Sequence, residues 1–156
     1  MTGCGKSTVG KKLAELSGLA FLDLDEMLTE GEGKTPRELF DLYGEEHFRS
    51  LEHQYLLQAL TRENTVISCG GGIVLWEENR RALRGEQVIW IVRSHKSALS
   101  NKNVLMRPPV NGSAENYRAL YRKRRRLYAS CAQTVIENVD SASCARALAK
   151  MYGYVK

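Results

Sequence analysis

Nowhere in its 156 residues does the chain approach 18 consecutive apolar positions, so no membrane-spanning helix is expected. Lys6, Lys11 and Lys12 leave no room for the hydrophobic region of a secretory signal, and a cytoplasmic location with no membrane partner is expected. The four cysteines, Cys4, Cys69, Cys131 and Cys144, form no CxxC pair, and only three histidines are present as co-ligands. Neither a zinc framework nor a disulfide framework is suggested, and reduced thiols are the expectation. Repeats and low-complexity tracts are missing too. With 43% hydrophobic and 26% charged residues, the composition is that of an ordinary folded protein. The length suits a single domain over residues 1–156.

Acids are nearly missing from one stretch. Residues 93–126 carry ten Lys/Arg against the single acid Glu115, while the rest of the chain is net negative, so the overall charge of +5 belongs to one segment. Such a segment implies an anionic partner, a nucleic acid or a small phosphorylated or carboxylated ligand.

Val9, Leu13 and Leu16 at helical spacing predict a helix from near Lys6 to Gly18. The run 20–25, Ala-Phe-Leu-Asp-Leu-Asp, reads as a buried parallel strand with carboxylates at its C-terminal end. Gly31 to Lys34 breaks the chain. Thr35-Pro36 with Glu38 forms a capping-box pattern that opens a helix, and a second apolar stripe follows Gly44. Residues 65–68 read as a strand running into Cys69 and the triplet Gly70, Gly71 and Gly72. A helix is predicted over 76–84, a strand over 87–92, a polar loop or short-helix segment over 97–113, and a basic helix from Glu115 to about Ala129. A strand over 134–139 and a helix over 141–152 close the pattern. Strands alternating with helices predict an α/β sandwich with a mainly parallel sheet.

Gly3-Cys4-Gly5-Lys6-Ser7-Thr8 matches the end of GxxxxGK[ST], in which backbone N–H groups wrap phosphates, the lysine reaches β/γ oxygens and the hydroxyl binds Mg²⁺. The alternative is a simple N-terminal tail. Asp23 and Asp25, two apart on a strand, face one site or form a solvated strand end. A phosphoryl-transfer site needs one carboxylate for metal-bound water and another to orient the attacking hydroxyl. Arg49 stands three residues before Glu52, close enough on a helix to pair as a surface salt bridge. The basic run 122–126 reads as a solvated face from which one or two side chains turn inward. Tyr117, Tyr121 and Tyr128 share one helical face and read as core.

Taken in order, GCGKST, FLDLDE, ELFDLYGEEHFRSLE, ISCGGGIV, MRPP and YRALYRKRRRLY resemble shikimate kinase over essentially the whole chain. The resemblance implies a P-loop NTPase three-layer sandwich of the nucleoside monophosphate kinase-like type. It implies ATP phosphates bound by Gly3, Cys4, Gly5, Lys6, Ser7 and Thr8, with Arg107 clamping them from a mobile lid at about 98–113. Magnesium would be held by Ser7, and by Asp23 through water. Shikimate would be bound by Asp25, Arg49, the Gly70–Gly72 loop and Arg124, with Lys6, Asp25 and Arg107 as the catalytic set. The implied reaction is ATP-dependent phosphorylation of a shikimate ring hydroxyl to 3-phosphoshikimate, on the way to chorismate and aromatic amino acids. A monomer with no nucleic-acid partner is expected. The chain departs from the family in having RPP for RPL and Arg126 in place of a proline.

Two other readings remain at this point: a kinase of the same fold acting on gluconate or a nucleoside monophosphate, and a basic RNA-binding module built on residues 118–126. One element of the pattern is missing. In α/β nucleotide-binding folds a glycine loop joins the end of a strand to a helix, and here only Met1-Thr2 precedes Gly3. The first strand is therefore expected to be absent, the chain N-terminally incomplete, and its folding and activity poor.

Overall fold

The computed structural model describes residues 1, 3–100, 104, 110 and 112–155. Seven α-helices and four strands occur among them. They run α1 (Lys6–Ser17), β1 (Ala20–Asp23), α2 (Leu24–Glu32), α3 (Pro36–Leu60), β2 (Thr65–Ser68), α4 (Glu77–Ala82) with a 3₁₀ turn at Leu83–Gly85, β3 (Ile89–Val92), α5 (His95–Leu99), α6 (Ala114–Cys131), β4 (Thr134–Glu137) and α7 (Ser141–Met151). No described helix is long and apolar enough to cross a membrane.

Each strand pairs with one other. β1 lies parallel to β2, from Ala20 opposite Thr65 to Asp23 opposite Ser68, and β3 lies parallel to β4, from Ile89 opposite Thr134 to Val92 opposite Glu137. Parallel neighbours need crossovers, supplied by α2 and α3 for the first pair and α5 and α6 for the second. Successive strand residues serve opposite faces. Val66, Ile89, Ile91 and Ile136 pack with Val9 and Leu13 of α1 and Leu148 of α7, while Leu22, Ile67 and Trp90 pack with Leu56 of α3 and Tyr117 and Tyr128 of α6. The result is the expected three-layer arrangement, with α1 and α7 on one side of the strands.

Local chemistry sets the element ends. Gly18 in the left-handed region closes α1, its N–H bonding Ala14 O, and the capping box of Thr35 and Glu38 opens α3. In α1 the buried stripe is Val9, Leu13 and Ala14, and Leu16 turns outward. The strand expected over 20–25 stops at Asp23, because that carboxylate accepts the Asp25 N–H at 3.0 Å and so caps α2, a helix the sequence pattern did not show. Asp25 therefore sits in a helical first turn and not two places along a strand. The tyrosines of α6 are core, and of the basic run 122–126 only Arg124 is buried.

Gly44 breaks α3 with φ 81° and ψ 174°, a conformation close to exclusive to glycine, and so redirects the part of the helix that carries Arg49 and Glu52. Nothing crowds the position. Gly44→Ala is therefore expected to cost about 1–3 kcal/mol through backbone strain alone, measured by urea unfolding. A Gly33→Ala version, altering the left-handed cap of α2, serves as a comparison away from Arg49.

Candidate active site

The phosphate loop turns through two left-handed glycines, Gly3 (φ 75°) and Gly5 (φ 85°), before α1 begins at Lys6. Gly5 is the N-cap and offers no side chain, so the first-turn N–H groups, those of Lys6, Ser7 and Thr8 among them, carry no side-chain cap and present positive charge to an anion. Cys4 points inward, fully buried, and its carbonyl accepts a 2.8 Å bond from Asn138 Nδ2. Asn138, itself buried, follows β4 and donates its own N–H to Val92 O at 2.8 Å. Among the described residues Lys6 makes no ion pair, which leaves its ammonium for a ligand.

Ser7 Oγ donates to Asp23 Oδ2 at 2.6 Å and lies 3.2 Å from Ser68 Oγ. These are hard oxygen donors on the ends of β1 and β2, beside the phosphate loop. No group of three or more His, Cys, Asp or Glu able to hold a metal occurs among the described residues. A hydroxyl and one carboxylate fit Mg²⁺, which commonly takes one or two protein ligands and fills its shell with water and substrate phosphate.

The second half of the site lies beyond Asp23. Arg49 and Glu52 are both buried and paired at 2.6 Å, so the salt bridge anticipated on the surface is interior. Burial pushes the Glu52 carboxyl up, against the opposing pull of Arg49. Arg49 Nε lies 3.5 Å from Glu45 Oε1 yet completes no hydrogen bond, so this buried guanidinium retains a donor. The glycine triplet explains itself by proximity. A Cβ at Gly70 would stand 2.9 Å from Glu52 Oε1 and 3.4 Å from Asp25 Oδ1, and one at Gly72 would collide with the Arg49 guanidinium. From α6, Arg124 Nη1 donates to Gly71 O at 3.1 Å, as does Tyr128 Oη at 2.5 Å. Arg124 also makes no ion pair among the described residues. Asp25, Arg49, Gly70, Gly71, Gly72 and Arg124 are thus brought to one place, and Asp23 links that place to Ser7.

This arrangement suits transfer of a phosphoryl group between an anion at the helix terminus and a hydroxylated acid beside the arginines. Covalent catalysis by the nearby thiol is disfavoured, since burial pushes Cys69 up to about 12.

The family model for shikimate kinase matches residues 2–152. The chain belongs to the shikimate kinase family. It is 35% identical over 152 residues to a shikimate kinase of Rhodococcus jostii, covering 96% of this chain and 90% of that one. It is 35% identical over 129 residues to a bifunctional shikimate kinase/3-dehydroquinate synthase of Thermotoga maritima, a match covering 83% of this chain and 26% of that longer protein. Among solved structures, a shikimate kinase from Acinetobacter baumannii in complex with shikimate superposes with a TM-score of 0.89 at 29% identity, covering 97% of this chain and 88% of that one.

Of the site expected for this shikimate kinase family member, Arg107 and most of the lid segment lie outside the described residues. Sequence reasoning missed Asn138, Ser68 and Tyr128. Asn138 and Ser68 each follow or end a strand on the loop side, the one signal that could have singled them out. Asn138→Ala leaves the Cys4 carbonyl unpaired in the interior, at an expected cost of about 1–3 kcal/mol in urea unfolding. Steady-state kinetics of the same variant should show nucleotide KM rising several-fold with the KM of the acceptor little changed.

Proposed function

We propose that the chain transfers the γ-phosphoryl group of ATP to a ring hydroxyl of shikimate, giving 3-phosphoshikimate for aromatic amino acid biosynthesis. The observation that carries this reading is the meeting of two half-sites with two cations that make no ion pair among the described residues: Lys6 at the phosphate loop, and Arg124 beside Gly71, with Asp25 close to Gly70. A carboxylated, triply hydroxylated ring needs guanidinium forks for its carboxylate and a carboxylate acceptor for its hydroxyls. Arg49 and Arg124 supply the first and Asp25 the second.

In the reaction the acceptor oxygen attacks the γ-phosphorus, the bond to the β-phosphate oxygen breaks, ADP leaves, and the hydroxyl proton passes to the Asp25 carboxylate. The N–H groups at the start of α1 hold the β/γ oxygens, and Lys6 opposes the charge that builds on the transferring group. Ser7, and Asp23 through water, would hold magnesium, which would neutralise phosphate charge. Glu52 fixes the Arg49 guanidinium, and Tyr128 fixes the Gly71 carbonyl. Arg107 is assigned to the ATP phosphates by family spacing, from a lid at about 98–113 that excludes water.

Lys6→Ala is expected to lower turnover by about 10²–10³-fold while shikimate still binds, measured by coupled ADP release and by titration. Near-normal turnover would remove Lys6 from the phosphate site. Arg124→Ala should weaken shikimate roughly 10- to 100-fold with ATP affinity little changed, the loss of one charge-assisted contact. Arg49→Ala strands Glu52, so the informative version pairs it with Glu52→Gln; it should show the same selective loss. Arg122→Ala and Arg125→Ala, both on the exposed side of α6, should bind shikimate normally.

A further inference from the structure

Between β2 and β3 lies a cavity of about 410 Å³, with Val66, Ile67, Ile89, Ile91 and Leu56 in its mostly apolar lining. Tyr128 of α6 forms part of that wall. Its ring is buried and lies 5.6 Å from that of Trp90, while its hydroxyl donates to Gly71 O at 2.5 Å. A hydroxyl has one proton, and the short contact to a carbonyl takes it in preference to the Met1 sulfur at 3.7 Å. Burial pushes the phenol up, against the opposing pull of Arg124, so it stays a protonated donor through the neutral range.

Gly71 O therefore accepts twice, from Tyr128 and from Arg124 Nη1 at 3.1 Å, one bond for each lone pair. The residue on either side of the Gly71–Gly72 peptide is glycine, so no Cβ clash opposes rotation of this peptide plane. Its direction has to be set from outside. The peptide is trans, which points its N–H opposite to its C=O. With the carbonyl drawn toward α6, the Gly72 N–H is turned away from α6, and Gly72 itself packs against the Arg49 guanidinium. Gly72 is buried, yet its N–H donates to nothing among the described residues. A buried N–H without a partner is rare and marks a place where a ligand can supply the acceptor.

We propose that Tyr128 is a positioning residue for the acceptor: through Gly71 O its hydroxyl holds the Gly71–Gly72 peptide so that the Gly72 N–H and the Arg124 guanidinium both face the incoming oxygens. This rests on the reading that Arg124 and the glycine loop receive shikimate. Tyr128 touches no substrate and acts through a peptide that would otherwise be free to turn over. Arg124 cannot do this alone. Once its charge is answered by a carboxylate its hold on the carbonyl weakens, and the phenol is the donor that remains.

Tyr128→Phe removes one oxygen and keeps the ring. It is expected to raise the shikimate Kd about tenfold, the effect of one buried hydrogen bond, with the ATP KM changed less than about twofold. Tyr121→Phe is the matched control: that phenol also packs on Trp90 but makes no hydrogen bond among the described residues, and its loss should leave shikimate binding unaltered. The readout specific to orientation is the Gly72 amide in ¹H–¹⁵N spectra. In the unaltered chain saturating shikimate should move it downfield, and in Tyr128→Phe, checked as folded by far-ultraviolet circular dichroism, it should be split or broadened before any shikimate is added. Arg124→Ala separates the two ways of failing. If it leaves shikimate binding unchanged, the acceptor reading falls and the positioning role falls with it. If it weakens binding while Tyr128→Phe does not, or if the Gly72 amide of the unaltered chain is indifferent to shikimate, the positioning role is overturned and the acceptor reading stands.

Discussion

The bond from Ser7 Oγ to Asp23 Oδ2 ties the two halves of the candidate site together. Its donor belongs to the first turn of α1 and its acceptor to the last residue of β1, so one 2.6 Å contact fixes the helix that follows the glycine loop against the strand that leads to Asp25. The same Asp23 carboxylate uses its other oxygen to cap α2, which sets where Asp25 projects. One side chain therefore orients the Ser7 hydroxyl and the Asp25 carboxylate together. A hydroxyl-to-carboxylate bond is charge-assisted and short, which makes it a stiffer link than two neutral partners would give.

The arginines show a second constraint. Taking a guanidinium out of water is costly unless it is paired and hydrogen-bonded. Arg49 meets that demand through Glu52, and Arg124 meets only part of it through Gly71 O. The pair at Arg49 is therefore a fixed part of the frame, whereas Arg124 makes no ion pair among the described residues. The glycine triplet belongs to the same economy of space: at Gly72 a side chain would take the position of the Arg49 guanidinium.

Much of this was legible in the sequence, for reasons that differ by residue. The phosphate loop and the capping box are local motifs whose partners lie within a few positions, so Gly5, Lys6, Ser7 and the Thr35–Glu38 pair were readable directly. Arg49 and Arg124 were singled out through resemblance to a family, since nothing local separates Arg124 from the exposed cations on either side of it. Helix α2 escaped notice because its start depends on Asp23 acting as a cap, and an aspartate at a strand end looks the same whether it caps or not. Asn138 and Tyr128 escaped because their partners, Cys4 O and Gly71 O, lie 134 and 57 positions away. Three of the four residues of β3 are only partly buried, since one edge of the strand borders the cavity and not another strand.

That cavity and the acceptor site are not independent. Tyr128 lines the cavity, reaches Met1 Sδ at its end, and bonds Gly71 O in the loop that would receive shikimate. Arg124, one helical turn earlier on α6, bonds the same carbonyl. Anything that shifts the middle of the sheet must therefore move α6, Tyr128 or the glycine loop, and each of these sets the position of the Arg124 guanidinium. Packed interiors do not absorb such shifts gradually, because close contacts have few alternative arrangements. The apolar centre between β2 and β3 thus bears on the glycine loop and on Arg124 through one phenol.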